Sequence, residues 1–212
     1  MKNKIRISEI FKSIQGEGKY AGYPMLFIRT YGCTRHCSFC DTFYAVEGNK
    51  YKEMTINQLI RKIDNYKGLY ICWTGGEPLL WRKQIKEIIK KTLNKNHHIE
   101  TNGDLLIKED LEVFDYLAIS PKDLKTIKKL KERITFTSYE SKNWEWDIKI
   151  VTDLEKIGRW GLRYATILMP LTVYKPRKDL QIQRKVWNYC IKKNIRYGPR
   201  FQFWIWGKKR KI

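Results

Sequence analysis

The sequence predicts an α/β fold in which a parallel sheet curls, with its helices, into a full or partial TIM-like β/α barrel. Two observations predict it. Apolar, strand-like runs alternate with helix-like ones along most of the chain, the pattern of βαβ units whose right-handed crossovers curl a sheet. Four successive strands also end in polar or glycine-containing motifs, TYGC, TGGEP, ETNG and ISPK, and barrel folds build their sites at the carboxyl ends of strands.

The first predicted strand is PMLFIRTYG at 24–32, which runs straight into a cysteine loop at 33–40 and then a polar segment. A helix over about 55–66 follows, with Thr55 placed to cap it, and then the apolar strand GLYICWTGG, which ends in Gly75, Gly76 and Glu77. The theme repeats. A helix over about 81–95 leads to the strand HHIETNG, and a short acidic helix leads to FDYLAISPK, which ends in Ser120, Pro121 and Lys122. WDIKIV at 146–151 and RYATILMP at 163–170 read as further strands, VWNYCIKK as helical, and FQFWIWG at 201–207 as a core or interface strand with Phe203 and Ile205 alternating. No linker or low-complexity tract interrupts 1–212, so one domain is expected.

Composition narrows the class. Hydrophobic residues at 42% and aromatic residues at 14% exclude a disordered polymer, and no run approaches the roughly 18 apolar residues of a membrane helix. The N-terminus lacks the apolar block and cleavage site of a secretory signal, so a cytoplasmic location is expected. Forty-three Lys and Arg against 22 Asp and Glu leave a net charge of +21, which attracts nucleic acid or any acidic partner at low salt. Charge alone does not choose between these partners and a solvated lysine-rich surface.

Five cysteines are present, and three of them, Cys33, Cys37 and Cys40, crowd into eight residues. That is poor spacing for disulfides and good spacing for a metal. Cys72 and Cys190 lie in apolar surroundings and are expected as buried free thiols. Three thiolates on one loop leave a [4Fe–4S] cube with one iron open to a small molecule; a zinc site of three cysteines and His36 is the competing reading, at an unusual spacing.

Cys-x-x-x-Cys-x-x-Cys after a strand, with Phe39 before the third cysteine and TGGEP at 74–78, resembles the radical S-adenosylmethionine superfamily. The resemblance implies a cluster whose open iron binds S-adenosylmethionine, with Gly75, Gly76 and Glu77 near that cofactor. FKSIQGEG at 11–18, IRTYGC at 28–33, CDT at 40–42, IETNG at 99–103 and ISPK at 119–122 are similar, more narrowly, to the 7-carboxy-7-deazaguanine synthases. That family contracts the ring of 6-carboxy-5,6,7,8-tetrahydropterin, a lyase reaction that releases ammonia on the route to queuosine and other 7-deazaguanines.

Carried over by position, the resemblance implies that Ile14, Gln15 and Gly16 hold the pterin and that Arg29 faces its carboxylate, as an arginine fork suits that anion. Glu17 either contacts the pterin or caps a turn, and with Arg29 is the candidate for catalysis. Thr74 lies near substrate, and Thr42 ligates Mg²⁺. Phe39, Asp41, Ser120, Pro121 and Lys122 stand on the cofactor side, although Asp41 also suits a turn. The family further implies a homodimer and a flavodoxin- or ferredoxin-like reductant, with no need for nucleic acid. A glycyl-radical activase and a nucleic-acid-binding protein with a structural cluster are the alternatives. The chain departs from the pattern at Met169-Pro170, where family members often carry Gln-Pro, and at its basic end, where Ile212 stands in the position of a pocket-closing terminus.

Overall fold

The computed structural model describes residues 3–38, 40–48, 50–133 and 145–209. Among them, nine strands form one sheet. Strand β1 (Lys4–Ile14) pairs antiparallel with β2 (Pro24–Thr30) and with the short β3 (Lys52–Thr55). From β2 onward every pairing is parallel, through β4 (Tyr70–Gly75), β5 (Asn96–Thr101), β6 (Tyr116–Ile119), β7 (Glu145–Thr152), β8 (Ile167–Pro170) and β9 (Arg196–Tyr197). The spatial order is β3-β1-β2-β4-β5-β6-β7-β8-β9, so the sheet is mixed and open, a partial barrel with β3 and β9 at its edges.

The crossovers carry α1 (Ile56–Asp64), α2 (Arg82–Lys91), α3 (Lys108–Leu111) and α4 (Leu124–Arg133), with α5 (Pro176–Lys193) between β8 and β9. Helix α1 begins where the sequence places it, with a full capping box: Thr55 Oγ1 accepts from the Gln58 amide and the Gln58 side chain accepts from the Thr55 amide. Two apolar layers then cover the outside of the sheet. Ile5, Ile7, Ile28, Ile71 and Trp73 pack with Leu59, Ile63, Ile85 and Ile88, and Ile148, Ile150 and Leu168 pack with Ile182, Val186 and Cys190 of α5. Met25, Phe27 and Cys72 form a third cluster with Phe11, Tyr20 and Tyr70. Cys72 and Cys190 are free and buried, as expected.

Strand β1 lies where the sequence reading placed only a motif. Its Ile5 and Ile7 join the outer core, and strict alternation would send residue 9 the same way. A bulge between Ile7 and Glu9 shifts the register, so Ile10 packs outward while Glu9 turns inward toward Arg29. A one-residue slip exchanges the two faces of a strand. The expected strand at FQFWIWG is instead helix α6 (Phe201–Trp206), none of whose residues is buried. Pro199, which cannot donate to a ladder, follows β9, and the chain turns across the barrel mouth: the Phe201 amide bonds the Gly16 carbonyl at 3.1 Å.

The glycine pair of TGGEP closes the end of β4 against the end of β2. Gly75 has φ +134°, and a Cβ there would collide with the Thr30 backbone; one at Gly76 would collide with the Gly32 carbonyl. The close approach that requires glycine is therefore made to the chain itself, sealed by Gly76 N–H to Thr30 O at 3.2 Å and Glu77 N–H to Gly32 O at 2.8 Å.

Two predictions follow from this packing. Gly76→Ala should destabilise the protein by about 2 kcal/mol or more, because backbone rather than a flexible side chain must yield; unfolding in urea with an unchanged midpoint would contradict it. The second concerns His98, which is 2% exposed among Tyr20, Tyr70 and Tyr116, with neither ring nitrogen hydrogen-bonded. Burial lowers its pKa to about 4. The unfolded imidazole, with its ordinary pKa, takes up a proton first, so the stability contributed by neutral His98 is complete above pH ~6.5 and lost as pH falls toward ~4. His98→Phe should flatten the dependence of unfolding free energy on pH in that window by up to about 1.4 kcal/mol per pH unit. Parallel slopes for the two proteins would rule His98 out.

Candidate active site

The cysteine loop joins β2 to the rest of the site and is held by Arg35. The guanidinium bonds both oxygens of Asp104 at 2.6 and 2.7 Å, Asp123 at 2.6 Å and Thr126 Oγ1 at 2.7 Å. One arginine thus fastens the loop to the segment after β5 and to the start of α4. Cys33, Cys37 and Cys40 are free thiols of intermediate exposure. The Asn102 amide reaches Cys33 Sγ at 3.8 Å and Thr34 Oγ1 at 2.9 Å, and the Thr42 N–H points at Cys40 Sγ at 3.4 Å.

Among the described residues no three His, Cys, Asp or Glu side chains are gathered closely enough to hold a metal ion; it is the chemistry of these thiols and their surroundings that fits an iron–sulfur cube. Burial pushes the Cys33 and Cys40 thiols up, with the charge of Lys122 pulling Cys40 the other way, so bound iron would supply the positive charge that ionised thiolates need. N–H donors at two sulfurs are the usual surroundings of such clusters. The zinc reading fares worse, since the His36 ring is turned to Glu47, with Nδ1 2.7 Å from Oε1.

Glu77 backs the loop. It is fully buried, and its carboxylate accepts from Thr101 Oγ1 at 2.7 Å, from the Leu79 backbone N–H at 3.1 Å and from the Asn102 backbone N–H at 2.8 Å. Burial raises its pKa to about 7 against the pull of those bonds. The side chain therefore ties β4 to β5 and steadies Asn102, which meets Cys33; it supports the cofactor side from behind. Ser120 bonds Thr101 through its amide at 2.7 Å, Pro121 is buried beside it, and Lys122 lies close enough to Cys40 to act on its charge.

On the other side of the loop stands Arg29, near the end of β2 and in register with Thr74 of β4. Its Nε donates to Glu9 at 3.3 Å, the carboxylate that the β1 bulge turns inward, and Tyr44 OH donates to the same oxygen at 3.0 Å. Arg29 Nη1 lies 3.5 Å from Thr42 Oγ1, and the Thr42 hydroxyl donates to Asp41 Oδ1 at 2.8 Å. Arg29, Thr42 and Thr74 are thus brought together.

The QGEG turn enters from β1. Gln15 is buried and donates to Glu100 at 3.0 Å, while Ile14 remains half exposed. Glu17 is enclosed by two cations and a neutral donor: Lys149 Nζ at 3.0 Å, Arg200 Nε at 3.1 Å and the Gln202 side-chain amide at 2.6 Å. Burial alone would raise its pKa, but Lys149 and Arg200 overcome that and hold Glu17 well below the usual carboxylate range. Lys149 is buried too, yet Glu100 at 3.3 Å and Glu17 keep it protonated, with its pKa above the ordinary lysine value. Glu17 is consequently a fixed anion, unsuited to carrying a proton and suited to positioning. Asp41 is drawn into the same network by Arg200 Nη2 at 2.7 Å.

Sequence reasoning missed Glu9, Arg35, Lys149 and Arg200, and met Glu100 only as a letter in IETNG. Lys149, flanked by isoleucines in a strand, could have been singled out as a polar residue facing the barrel; Arg200 carried no local signal. Phe39 and Ile212 lie outside the described residues. Met169, at the departure from Gln-Pro, is buried at the end of β8.

Comparison with known proteins shows the family. The model of the radical SAM superfamily matches residues 27–140. Proteins named 7-carboxy-7-deazaguanine synthase match along the chain: that of Methanocaldococcus jannaschii is 35% identical over 231 residues, covering 89% of this chain and 94% of its own. The Pyrobaculum aerophilum protein is 27% identical over 216 residues, covering 98% and 97%, and the Thermoplasma acidophilum protein is 40% identical over 128 residues, covering 58% and 59%. Among solved structures, QueE from Escherichia coli superposes with a TM-score of 0.56 at 20% identity, over 92% of this chain and 93% of that one. A tagged anSMEcpe with bound AdoMet gives 0.51 at 14% identity, over 84% and 65%. These two likenesses bear on the fold. The chain belongs to the radical SAM superfamily and, within it, to the 7-carboxy-7-deazaguanine synthases.

Proposed function

We propose that this 7-carboxy-7-deazaguanine synthase acts as a carbon–nitrogen lyase, contracting the ring of 6-carboxy-5,6,7,8-tetrahydropterin with loss of ammonia and with Mg²⁺ beside the substrate. The observation that carries this reading is the meeting of Arg29, Thr42 and Thr74 next to the cysteine loop, with Arg29 oriented by the inward carboxylate of Glu9. A substrate carboxylate suits an arginine fork whose Nε is already fixed.

Cys33, Cys37 and Cys40 would hold the [4Fe–4S] cluster, and Gly75, Gly76, Ser120, Pro121 and Lys122 line the side that S-adenosylmethionine would occupy. When bound, cluster and S-adenosylmethionine supply the organic radical that starts the reaction. The protein's part is positioning. Arg29 would orient the carboxylate, while Ile14, Gln15 and Gly16 would hold the pterin. Lys149, held between Glu17 and Glu100, keeps Glu17 ionised and both side chains in place, a preorganised field in which nothing need rearrange during reaction. The Thr42 hydroxyl, together with a substrate carboxylate, offers oxygen donors that fit a hard cation retaining most of its waters.

Among the described residues no helix is long and apolar enough to cross a membrane. A cytoplasmic homodimer served by a flavodoxin- or ferredoxin-like donor fits this reading, and nucleic acid is not required by it.

Protein reconstituted anaerobically, with S-adenosylmethionine, a reductant and Mg²⁺, should convert the carboxypterin into 7-carboxy-7-deazaguanine, read by mass spectrometry. An intact cluster spectrum with no such product would overturn the assignment. Arg29→Gln should raise KM for the carboxypterin by about 10- to 100-fold, the worth of a charge-assisted hydrogen bond; an unchanged KM would remove Arg29 from the carboxylate site. Chelation of Mg²⁺ should slow turnover, with recovery when the ion is returned.

A further inference from the structure

We propose that Arg200 is a positioning residue that locks the substrate-side QGEG turn to the cysteine-side Asp41–Thr42 turn, and so sets the width of the pocket between them. The proposal rests on the reading of the QGEG turn as a pterin contact and of Thr42 as a group beside the substrate.

Arg200 is 6% exposed, and a buried guanidinium has to be paired. Its two pairings go to different parts of the chain. Nε bonds Glu17 at 3.1 Å, and Nη2 bonds Asp41 at 2.7 Å. The plane of the fork is fixed by the Phe203 ring, 4.2 Å away. Helix α6 reinforces the first of these contacts: the Phe201 amide bonds Gly16 O at 3.1 Å, and Gln202 bonds the same Glu17 oxygen as Arg200. A Cβ on Gly16 would collide with the side-chain end of Gln202 and crowd its backbone nitrogen, so a side chain there would displace the Gln202 amide from Glu17.

The second contact passes to Thr42. Asp41 Oδ2 is held by Arg200, and Oδ1 accepts the Thr42 hydroxyl at 2.8 Å. With its proton committed to Asp41, the Thr42 oxygen turns its lone pairs elsewhere, toward the side where Arg29 Nη1 lies at 3.5 Å. A chain of contacts thus runs from Glu17 through Arg200 and Asp41 to Thr42. Only a planar fork spans it; a lysine carries the charge but cannot address both carboxylates in fixed directions.

Hydrogen exchange on the reconstituted protein without substrate tests the lock directly. In Arg200→Gln, amides of residues 15–23 and of residues 40–47 should both exchange at least tenfold faster, while those of α5 keep their rates. Arg200→Lys should loosen the second segment more than the first, because Lys149 still holds Glu17. Kinetics supply the complementary reading: Arg200→Gln and Asp41→Asn should each raise KM for the carboxypterin about tenfold, with kcat changed far less, and the double variant should be no worse than Arg200→Gln alone. Unaltered exchange in either turn, acceleration spread over the whole chain, or KM effects that multiply would overturn the proposal. Should Arg200→Gln not fold, Arg200→Lys and Asp41→Asn carry the same comparison. Failure of wild-type protein to consume the pterin would strike the substrate assignment instead, leaving the exchange result to judge the lock.

Discussion

Buried charge that must be paired is the constraint on which the site depends. Glu17, Lys149 and Arg200 lie inside the barrel mouth, where an unpaired ion would cost several kcal/mol, and each finds its partners on a different segment. Glu17 comes from the turn after β1, Lys149 from β7, Glu100 from β5, Arg200 from the approach to α6 and Asp41 from the turn after the cysteines. Satisfying these charges draws five distant stretches of chain to one place. The same network then fixes protonation, since an ammonium between two carboxylates stays charged and a carboxylate between two cations stays ionised.

The neighbouring half of the site is built differently, from close backbone contact, hydrogen bonds to one buried carboxyl group and a single arginine paired with two aspartates. Two glycines let β4 close on β2, and the carboxylate of Glu77 gathers donors from Thr101, Asn102 and Leu79. Asn102 and Arg35 then hold the cysteine loop from two directions. A rigid mount matters here because the thiols sit on a loop, the part of a fold most free to drift. The two halves meet at Thr42, which touches Cys40 through its amide and Arg29 and Asp41 through its hydroxyl.

The strand ends were legible because their signals are local. Cysteine spacing, a glycine pair and Thr55 followed by Gln58 each declare themselves within a few residues, and β2, β4, β5 and β6 fall where their motifs place them. The mixed edge of the sheet was not legible. In β1 the bulge after Ile7 breaks the period of two that marks a strand, and with it hides Glu9. The pattern F-x-F-x-I imitates a strand at 201–207, but past Pro199 the chain leaves the sheet and forms α6. Lys149 and Arg200 were hidden for another reason: in a chain with 43 lysines and arginines, burial alone separates these two from the solvated majority, and burial is a property of the fold.

The central claim is that one barrel mouth holds the radical-generating loop and a carboxylate receptor built to work together. Reductive cleavage of S-adenosylmethionine, measured with and without 6-carboxy-5,6,7,8-tetrahydropterin, tests it most directly. The account predicts that the pterin changes the reaction, with deazaguanine accumulating well in excess of the S-adenosylmethionine irreversibly consumed. Cleavage that proceeds at the same rate and to the same products whether or not the pterin is present would contradict it.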